Sequence, residues 1–361
     1  MSRKIAFFSK DLRLGGIEKV FVDYANFLSK DDDIYFILVN EDGGLIPLVN
    51  PQIKKVVLST NQIRRSFFSL VRVLKKNRFD VVISGSESCN ILLALANCLI
   101  PQKSLIITSQ HSFFNTDTSQ LIHDYLLPWA LKKSAFTLCV SKGIRDMLVG
   151  MGLNPSKLEV VYNPVNREQI IGLSKTGSNN LGQYLVFVGR LYEVKNIPFL
   201  LKSFCIFKET HPDFKLVLVG DGPEKENLIE YAGRLNVQDS LIWTGEKSNP
   251  YPYIRNSEIL ILPSLSESLS NVVLEALCLG KTVVSTPCVG PVEILNAPFF
   301  GYISESFDNC VEFAKLMSYA VEHKLPSPRL ENYSAQFDVS ISATRISTLI
   351  NNLLSSSTSS E

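Results

Sequence analysis

The sequence predicts an α/β protein built from two successive doubly wound, Rossmann-like β/α/β domains. Three observations carry that expectation. Short, nearly unbroken apolar runs, such as residues 34–39 and 184–188, alternate with longer stretches of helical periodicity. The alternation pauses once, at the Gly-, Ser- and Asn-rich segment 171–183, and then restarts. At 361 residues the chain is long enough for two domains of ordinary size.

In the first half, strands are expected at 4–9, 34–39, 56–58, 81–84, 105–108, 136–140 and 158–162. Helices are expected at 17–29, 66–76, 90–98, 121–134 and 142–151. The first helix shows the reasoning: Val20, Tyr24, Phe27 and Leu28 fall on one face, and Asp31, Asp32 and Asp33 end it. In the second half, strands are expected at 184–188, 215–219, 240–243, 259–262 and 282–285. Helices are expected at 197–209, 225–235, 251–256, 270–279 and 307–321, with a further element starting over 292–295. The resulting domains are 1–175 and 176–338. A last helix, 339–354, is expected to pack back towards the N-terminal domain, and the polar residues 355–361 form a frayed tail. Ligands of such sheets bind beyond the carboxyl ends of the strands, so two domains facing across a cleft would hold a reaction between them.

Composition narrows the class. With 45% hydrophobic and 20% charged residues the chain is an ordered globular protein, not a collagen-like repeat or a disulfide-rich mini-protein. Lys and Arg total 36 against 35 Asp and Glu, yet residues 1–175 hold 22 against 15 and the remainder 14 against 20. The basic half is the one suited to an anionic surface. Seven scattered cysteines without a CxxC point to neither a disulfide framework nor a zinc site, and to a reducing compartment. The apolar part of the N-terminus is too short for a signal peptide, and no apolar run is long enough to span a bilayer. The apolar stretch 91–100 contains Asn97 and stops at Pro101, which suits a buried helix.

Several residues stand where chemistry is expected. Gly15 and Gly16 lie between the first strand and first helix, where backbone amides can approach an anion, or where a glycine pair merely permits a turn. The spacing is not GxGxxG, so no dinucleotide site is signalled. Gly189 and Arg190 end a strand, and Lys195 and Asn196 follow. Two cations there can neutralise a diphosphate and the charge it gains on leaving, or are solvated surface cations. Gly220, Asp221, Gly222 and Pro223 form a turn after a strand. Glu267 and Glu275 lie eight residues apart in a strand–loop–helix context whose helix starts near Ser270. Glu275 can accept a hydrogen-bond pair from a ribose diol. His111 follows the strand 105–108 and can polarise a sugar hydroxyl, or serve structure alone. His123, His211 and His323 have no comparable setting.

Taken in order, these pieces resemble the retaining, GT-B-fold glycosyltransferases of family 4 (GT4), in particular bacterial lipopolysaccharide and polysaccharide enzymes. The glycine loop is Gly15-Gly16-Ile17-Glu18-Lys19-Val20, and the serine-then-arginine segment runs from Ser141 to Arg145. Val161-Tyr162-Asn163-Pro164-Val165 resembles the hinge-proximal YNPV element. Gly189-Arg190-Leu191 with Lys195-Asn196 resembles GRLxxxKN, and Gly220 to Pro223 the GDGP turn. Glu267 and Glu275 resemble the EX7E pair, Gly280 to Ser285 the GxPVVS entry, and Gly290-Pro291-Val292-Glu293 the GPxE segment. The resemblance covers essentially the whole chain.

It implies that Arg190 and Lys195 clamp the donor diphosphate and that Glu275 holds the ribose. Glu267 would contact the transferred sugar, aided by amides of Ser268, Leu269, Ser270 and Asn271. Gly16 would approach the diphosphate or sugar, His111 would lie beside that sugar, and the nucleobase would sit near Gly220, Trp243 and Gly245. The donor implied is a UDP-hexose or UDP-N-acetylhexosamine. No metal cofactor is implied, because the two cations supply the charge and no DxD-like motif is required. Ser268-Leu269-Ser270 stands where many relatives have Gly-Phe-Gly, which bears on the sugar pocket. Lys281-Thr282 replaces the usual residue-plus-proline pair, which bears on packing.

The acceptor expectation rests on the segment 54–78. It carries Lys54, Lys55, Arg64, Arg65, Arg72, Lys75, Lys76 and Arg78, no acidic residue, and the interleaved Phe67, Phe68, Leu70, Val71 and Leu74. Such a stretch suits an anionic bilayer, or simply covers the sheet. The expectation is a cytoplasmic enzyme, peripheral at the inner face of the membrane, with a lipid-linked or lipopolysaccharide-type acceptor. Competing readings are transfer to a soluble small-molecule acceptor, a GT-B epimerase and a non-catalytic nucleotide-sugar binding protein. Nucleic acid is a poor partner, because the basic run has no reader motif.

Overall fold

The computed structural model of the chain describes residues 2–113, 125–176 and 181–358 and divides into two units. The first runs to Pro164 and resumes at Val339. The second is Val165–Asp338.

The first unit begins with β1 (Lys4–Ser9), α1 (Gly16–Leu28), β2 (Asp33–Leu38), β3 (Lys54–Val57), α2 (Phe67–Asn77) and β4 (Val81–Ser84). It continues with α3 (Glu87–Cys98), β5 (Leu105–Gln110), α4 (Leu127–Lys133), β6 (Phe136–Cys139), α5 (Lys142–Gly150) and β7 (Leu158–Val160). The strands form one parallel sheet in the order β3-β2-β1-β4-β5-β6-β7. Its central strands carry nearly unbroken apolar runs, Ile5–Phe8 in β1, Ile34–Leu38 in β2 and Val81–Ile83 in β4, because both faces are covered. Ile5 and Phe7 of β1, with Ile34, Phe36 and Leu38 of β2, face a cluster that includes Val20, Phe21 and Tyr24 of α1. Ala6, Phe8, Tyr35 and Ile37 face the opposite cluster, with Leu70 and Leu74 of α2 and Leu93 and Ala96 of α3.

The second unit comprises α6 (Arg167–Ser174), β8 (Tyr184–Val188), α7 (Ile197–Lys208), β9 (Lys215–Val219), α8 (Lys225–Arg234), β10 (Leu241–Gly245) and α9 (Tyr251–Asn256). Then come β11 (Ile259–Leu262), α10 (Asn271–Cys278), β12 (Val283–Ser285), α11 (Val289–Leu295), β13 (Tyr302–Ile303), α12 (Cys310–Glu322) and α13 (Ser327–Ser334). Its parallel sheet has the order β10-β9-β8-β11-β12-β13. The last helix, α14 (Val339–Thr358), lies in the first unit, where Ala343, Ile346 and Ile350 join the core cluster of α1. Arg3 fastens it by donating to the Ser347 carbonyl (3.0 Å) and to Asn351 Oδ1 (2.8 Å).

The structure departs from expectation at the junction. The first unit ends at Pro164, not at residue 175, and part of the expected linker 171–183 is the last turn of α6. Gly172 and the polar residues around it hide this helix in the sequence. Asn166 caps it by accepting from the Gln169 amide (3.1 Å). Neighbours in the second unit then hold it, since Arg255 donates to Ser174 Oγ (3.3 Å) and Asn249 to the Leu173 carbonyl (3.0 Å). Residues 177–180 of that segment, 121–124 of the expected helix 121–134, with His123, and the end of the tail lie outside the described residues.

Both sheets reverse their strand order beside their first strand. In the first unit the reversal lies between β1 and β4, in the second between β8 and β11. Loops leaving adjacent strands on either side of such a reversal run apart and leave a crevice at the carboxyl edge, where ligands of this fold class bind.

Candidate functional site

In the second unit β8 and β11 are direct neighbours, pairing Leu185 with Ile259 and Val186 with Leu260. Segments 189–196 and 263–270 therefore emerge side by side. The Leu265 amide donates to the Val194 carbonyl (2.8 Å) and ties them together. Lys195 then meets Glu267, 72 positions later in the chain: Nζ donates to Oε1 at 2.5 Å. Their side chains are only 23% and 12% exposed, so this pair is largely withdrawn from water. Ser264 Oγ donates to the same Oε1 (2.8 Å).

Arg190 is exposed just past β8, its guanidinium 5.3 Å from the centre of the Tyr192 ring. Among the described residues no carboxylate pairs with it. The loop carrying it is fixed from behind by the turn after β9. The Gly189 amide donates to the Val219 carbonyl (3.0 Å) and the Leu191 amide to the Asp221 carbonyl (2.9 Å). Glycine is required in that turn. At Gly220, with φ +148°, a Cβ would lie 1.9 Å from the Gly189 oxygen, and at Gly222 it would lie 2.4 Å from that of Leu191. The Gly222 amide and Lys225 bond the Asp221 carboxylate (2.8 and 2.9 Å), and Lys225 foremost holds its pKa below the usual value. Gly245, at the end of β10, accepts from the Gly220 amide (3.0 Å). Trp243, expected beside a nucleobase, is half-buried and packs against the apolar core of the unit.

Glu275 sits in the second turn of α10, 8% exposed, and accepts a long hydrogen bond from the Tyr251 hydroxyl (3.5 Å). Ser270 caps this helix in extended conformation, Asn271 opens it, and Leu269 and Ser270 are buried. The loop before it is pressed by α11. The Gly290 amide donates to the Glu267 carbonyl (3.0 Å), and a Cβ on Gly290 would stand 2.7 Å from both Leu269 Cα and the Ser268 carbonyl carbon. Only a glycine lets the two backbones come this close.

In the first unit Gly15 is the cap position of α1 and Gly16 its first residue, beside the reversal between β1 and β4. His111 follows β5, two positions to one side in the sheet. Ser109 Oγ and His111 Nε2 share a hydrogen bond (2.8 Å), and the ring meets Phe21 edge-on at 6.2 Å. Burial pushes the imidazole pKa down to about 4, so the ring is neutral at neutral pH. It can hydrogen-bond a hydroxyl there but supplies no positive charge.

The structure thus places Arg190, Lys195, Glu267, Glu275, Gly189, Gly220 and Gly245 in the second unit at or beyond the carboxyl ends of strands, and Gly15, Gly16 and His111 at the corresponding edge of the first. Sequence reasoning gave no role to Ser264 or Tyr251, whereas Gly222 lay in the turn 220–223 that it singled out. Gly290 lay in a quoted motif, but its contact with the Ser268–Leu269 backbone had no signal along the chain.

Residues 14–169 match the family model described as Glycosyltransferase Family 4, and residues 173–337 match Glycosyl transferases group 1. The chain is 25% identical over 342 residues to the N-acetylgalactosamine-N,N'-diacetylbacillosaminyl-diphospho-undecaprenol 4-alpha-N-acetylgalactosaminyltransferase of Campylobacter jejuni, covering 90% of this chain and 92% of that one. It is 23% identical to the UDP-Gal:alpha-D-GlcNAc-diphosphoundecaprenol alpha-1,3-galactosyltransferase of Escherichia coli, with 82% of each covered. The crystal structure of Anabaena HepE in complex with UDP and glucose superposes with a TM-score of 0.82 at 16% identity, over 97% of this chain and 99% of that one. That last likeness shows the fold. The chain belongs to the family 4 glycosyltransferases, its C-terminal half carrying the group 1 domain, and its two parallel-sheet α/β units are of the GT-B type.

Proposed function

We propose that this family 4 glycosyltransferase moves a sugar, with retention of anomeric configuration, from a UDP-hexose or UDP-N-acetylhexosamine to a lipid-linked glycan. Cell-surface polysaccharide or lipopolysaccharide synthesis is the setting. The observation that carries the reading is the convergence of Arg190, Lys195 and Glu267 on the edge where β8 and β11 part. Arg190, exposed and without a carboxylate partner among the described residues, and Lys195 take the donor diphosphate. Their charge stabilises the leaving group as the sugar–oxygen bond breaks. Glu275 accepts from the ribose hydroxyls, and Glu267 with the amides of 268–271 orients the sugar. The departing phosphate oxygen takes the acceptor proton, so no dedicated protein base is needed. Two protein cations supply the positive charge, and a divalent ion is not required for it.

The acceptor class draws on the two relatives, whose names specify diphospho-undecaprenol-linked sugars and, for one, UDP-Gal. It also draws on the surface of α2. No helix among the described residues is long and apolar enough to cross a membrane. Instead Arg64, Arg65, Arg72, Lys75, Lys76 and Arg78 are exposed together with Phe68, which is 81% exposed. That surface suits peripheral attachment to an anionic cytoplasmic leaflet. Lys54 and Lys55 contribute less than the sequence suggests, because Asp33 (2.9 Å) and Glu41 (3.7 Å) pair with them.

The test supplies UDP-galactose, UDP-glucose and their N-acetylamino forms with undecaprenyl-diphosphate-linked N-acetylhexosamine in vesicles. One donor is expected to give an α-linked product with EDTA present. An inverted product, or transfer only to soluble sugars, contradicts the proposal.

A further inference from the structure

Glu267 is held through one oxygen only. Lys195 and Ser264 both donate to Oε1, and among the described residues Oε2 makes no hydrogen bond. Ser264 is fully buried, and its hydroxyl has this carboxylate as its acceptor. Its backbone is fixed from the neighbouring strand end, where Thr286 Oγ1 (2.5 Å) and Cys288 Sγ (3.0 Å) donate to its carbonyl. The hydroxyl therefore sits on a rigid mount, whereas Lys195 is a flexible side chain with three donors.

We propose that Ser264 is a positioning residue for Glu267: it keeps the carboxylate in place, with Oε2 presented to the donor sugar, when Lys195 is drawn to the donor diphosphate. This rests on the reading of Arg190, Lys195 and Glu267 as the donor site. Lys195 has two claims on it, one from Glu267 and one from the diphosphate. A carboxylate oriented by Lys195 alone would lose its orientation at the moment the sugar needs it. The buried hydroxyl removes that conflict, because a hydrogen bond to a charged acceptor outlasts the departure of the lysine.

Crystals of the Lys195→Ala chain mimic the withdrawn lysine without any donor. Glu267 is expected to keep its position in K195A and to swing away in K195A/S264A. A carboxylate unmoved in the double variant overturns the proposal whether or not UDP-sugars are the donors. The kinetic arm measures UDP release from UDP-galactose and UDP-N-acetylgalactosamine, and UDP binding by calorimetry. S264A is expected to bind UDP within two-fold of the native chain while kcat falls about ten-fold, the size of one lost hydrogen bond to a charged group. S264T, which keeps the hydroxyl, is expected to recover most of that loss. Equal losses in S264A and S264T, or a loss confined to KM, overturn it. Failure of the native chain to bind UDP would instead strike the donor reading, and the crystallographic arm would still judge Ser264.

Discussion

Lys195 and Glu267 show how an ion pair that ties two loops together can fall within the proposed donor site. Each charge is mostly removed from water, and each compensates the other. Deleting only one partner leaves a poorly solvated charge, so Lys195→Ala is expected to cost more stability than Arg190→Ala, whose side chain is exposed. The identities of these residues were legible in the sequence. Their partnership was not, because nothing along the chain says that positions 195 and 267 lie on adjacent strands. His111 is a second case. Its position after β5 was legible, but its protonation state was not, since that depends on the packing of the ring against Phe21. Its folded pKa of about 4 lies below the ordinary 6.5. The unfolded chain therefore binds the proton first. The stabilisation from a neutral ring is complete above pH 6.5 and is lost as pH falls towards 4, with an upper bound of about 3 kcal/mol. Urea denaturation between pH 7 and pH 4.5 checks this. The native chain should lose stability more steeply than H111Q, and parallel curves would refute it.

At the level of elements, parallel strands were the easiest features to read, because burial on both faces makes them continuous apolar runs. Short elements held by tertiary contacts were harder. The two-residue β13 has no periodicity to show, and α6 and α13 are largely polar helices whose stability comes from neighbours. The basic segment 54–78 divides into an edge strand, a 3-10 turn and α2, so its cations do not form one stripe. Leu70 and Leu74 cover the sheet, as a plain amphipathic helix would have them do, but Phe68 is left in solvent beside Arg64 and Arg65. At about 1 kcal/mol per cation, R64A/R65A should weaken binding to vesicles rich in anionic lipid about thirty-fold, and F68A should weaken it further. Co-sedimentation decides this. Variants that pellet like the native chain would remove the 3-10 turn and the first turn of α2 from the attachment surface.

Across the whole molecule, the two sheets share a plan in which the first strand sits beside the reversal of strand order, and each unit presents site residues at the carboxyl edge of its own sheet. That plan was legible from the repeated alternation of strand and helix. The limits of the units were less so. A polar stretch imitated a linker inside the second unit, while the C-terminal helix returns to the first through Ala343, Ile346 and Ile350. The central claim is that the second unit binds a nucleoside diphosphate through Arg190 and Lys195. Calorimetric titration of UDP, with GDP and ADP as comparisons and EDTA throughout, tests it on the native chain and on R190A/K195A, with melting curves to verify folding. UDP alone should bind the native chain, and the folded double variant should bind it at least a hundred-fold more weakly, about 2.7 kcal/mol. Binding of UDP to both chains with equal affinity, or to neither, would contradict the account.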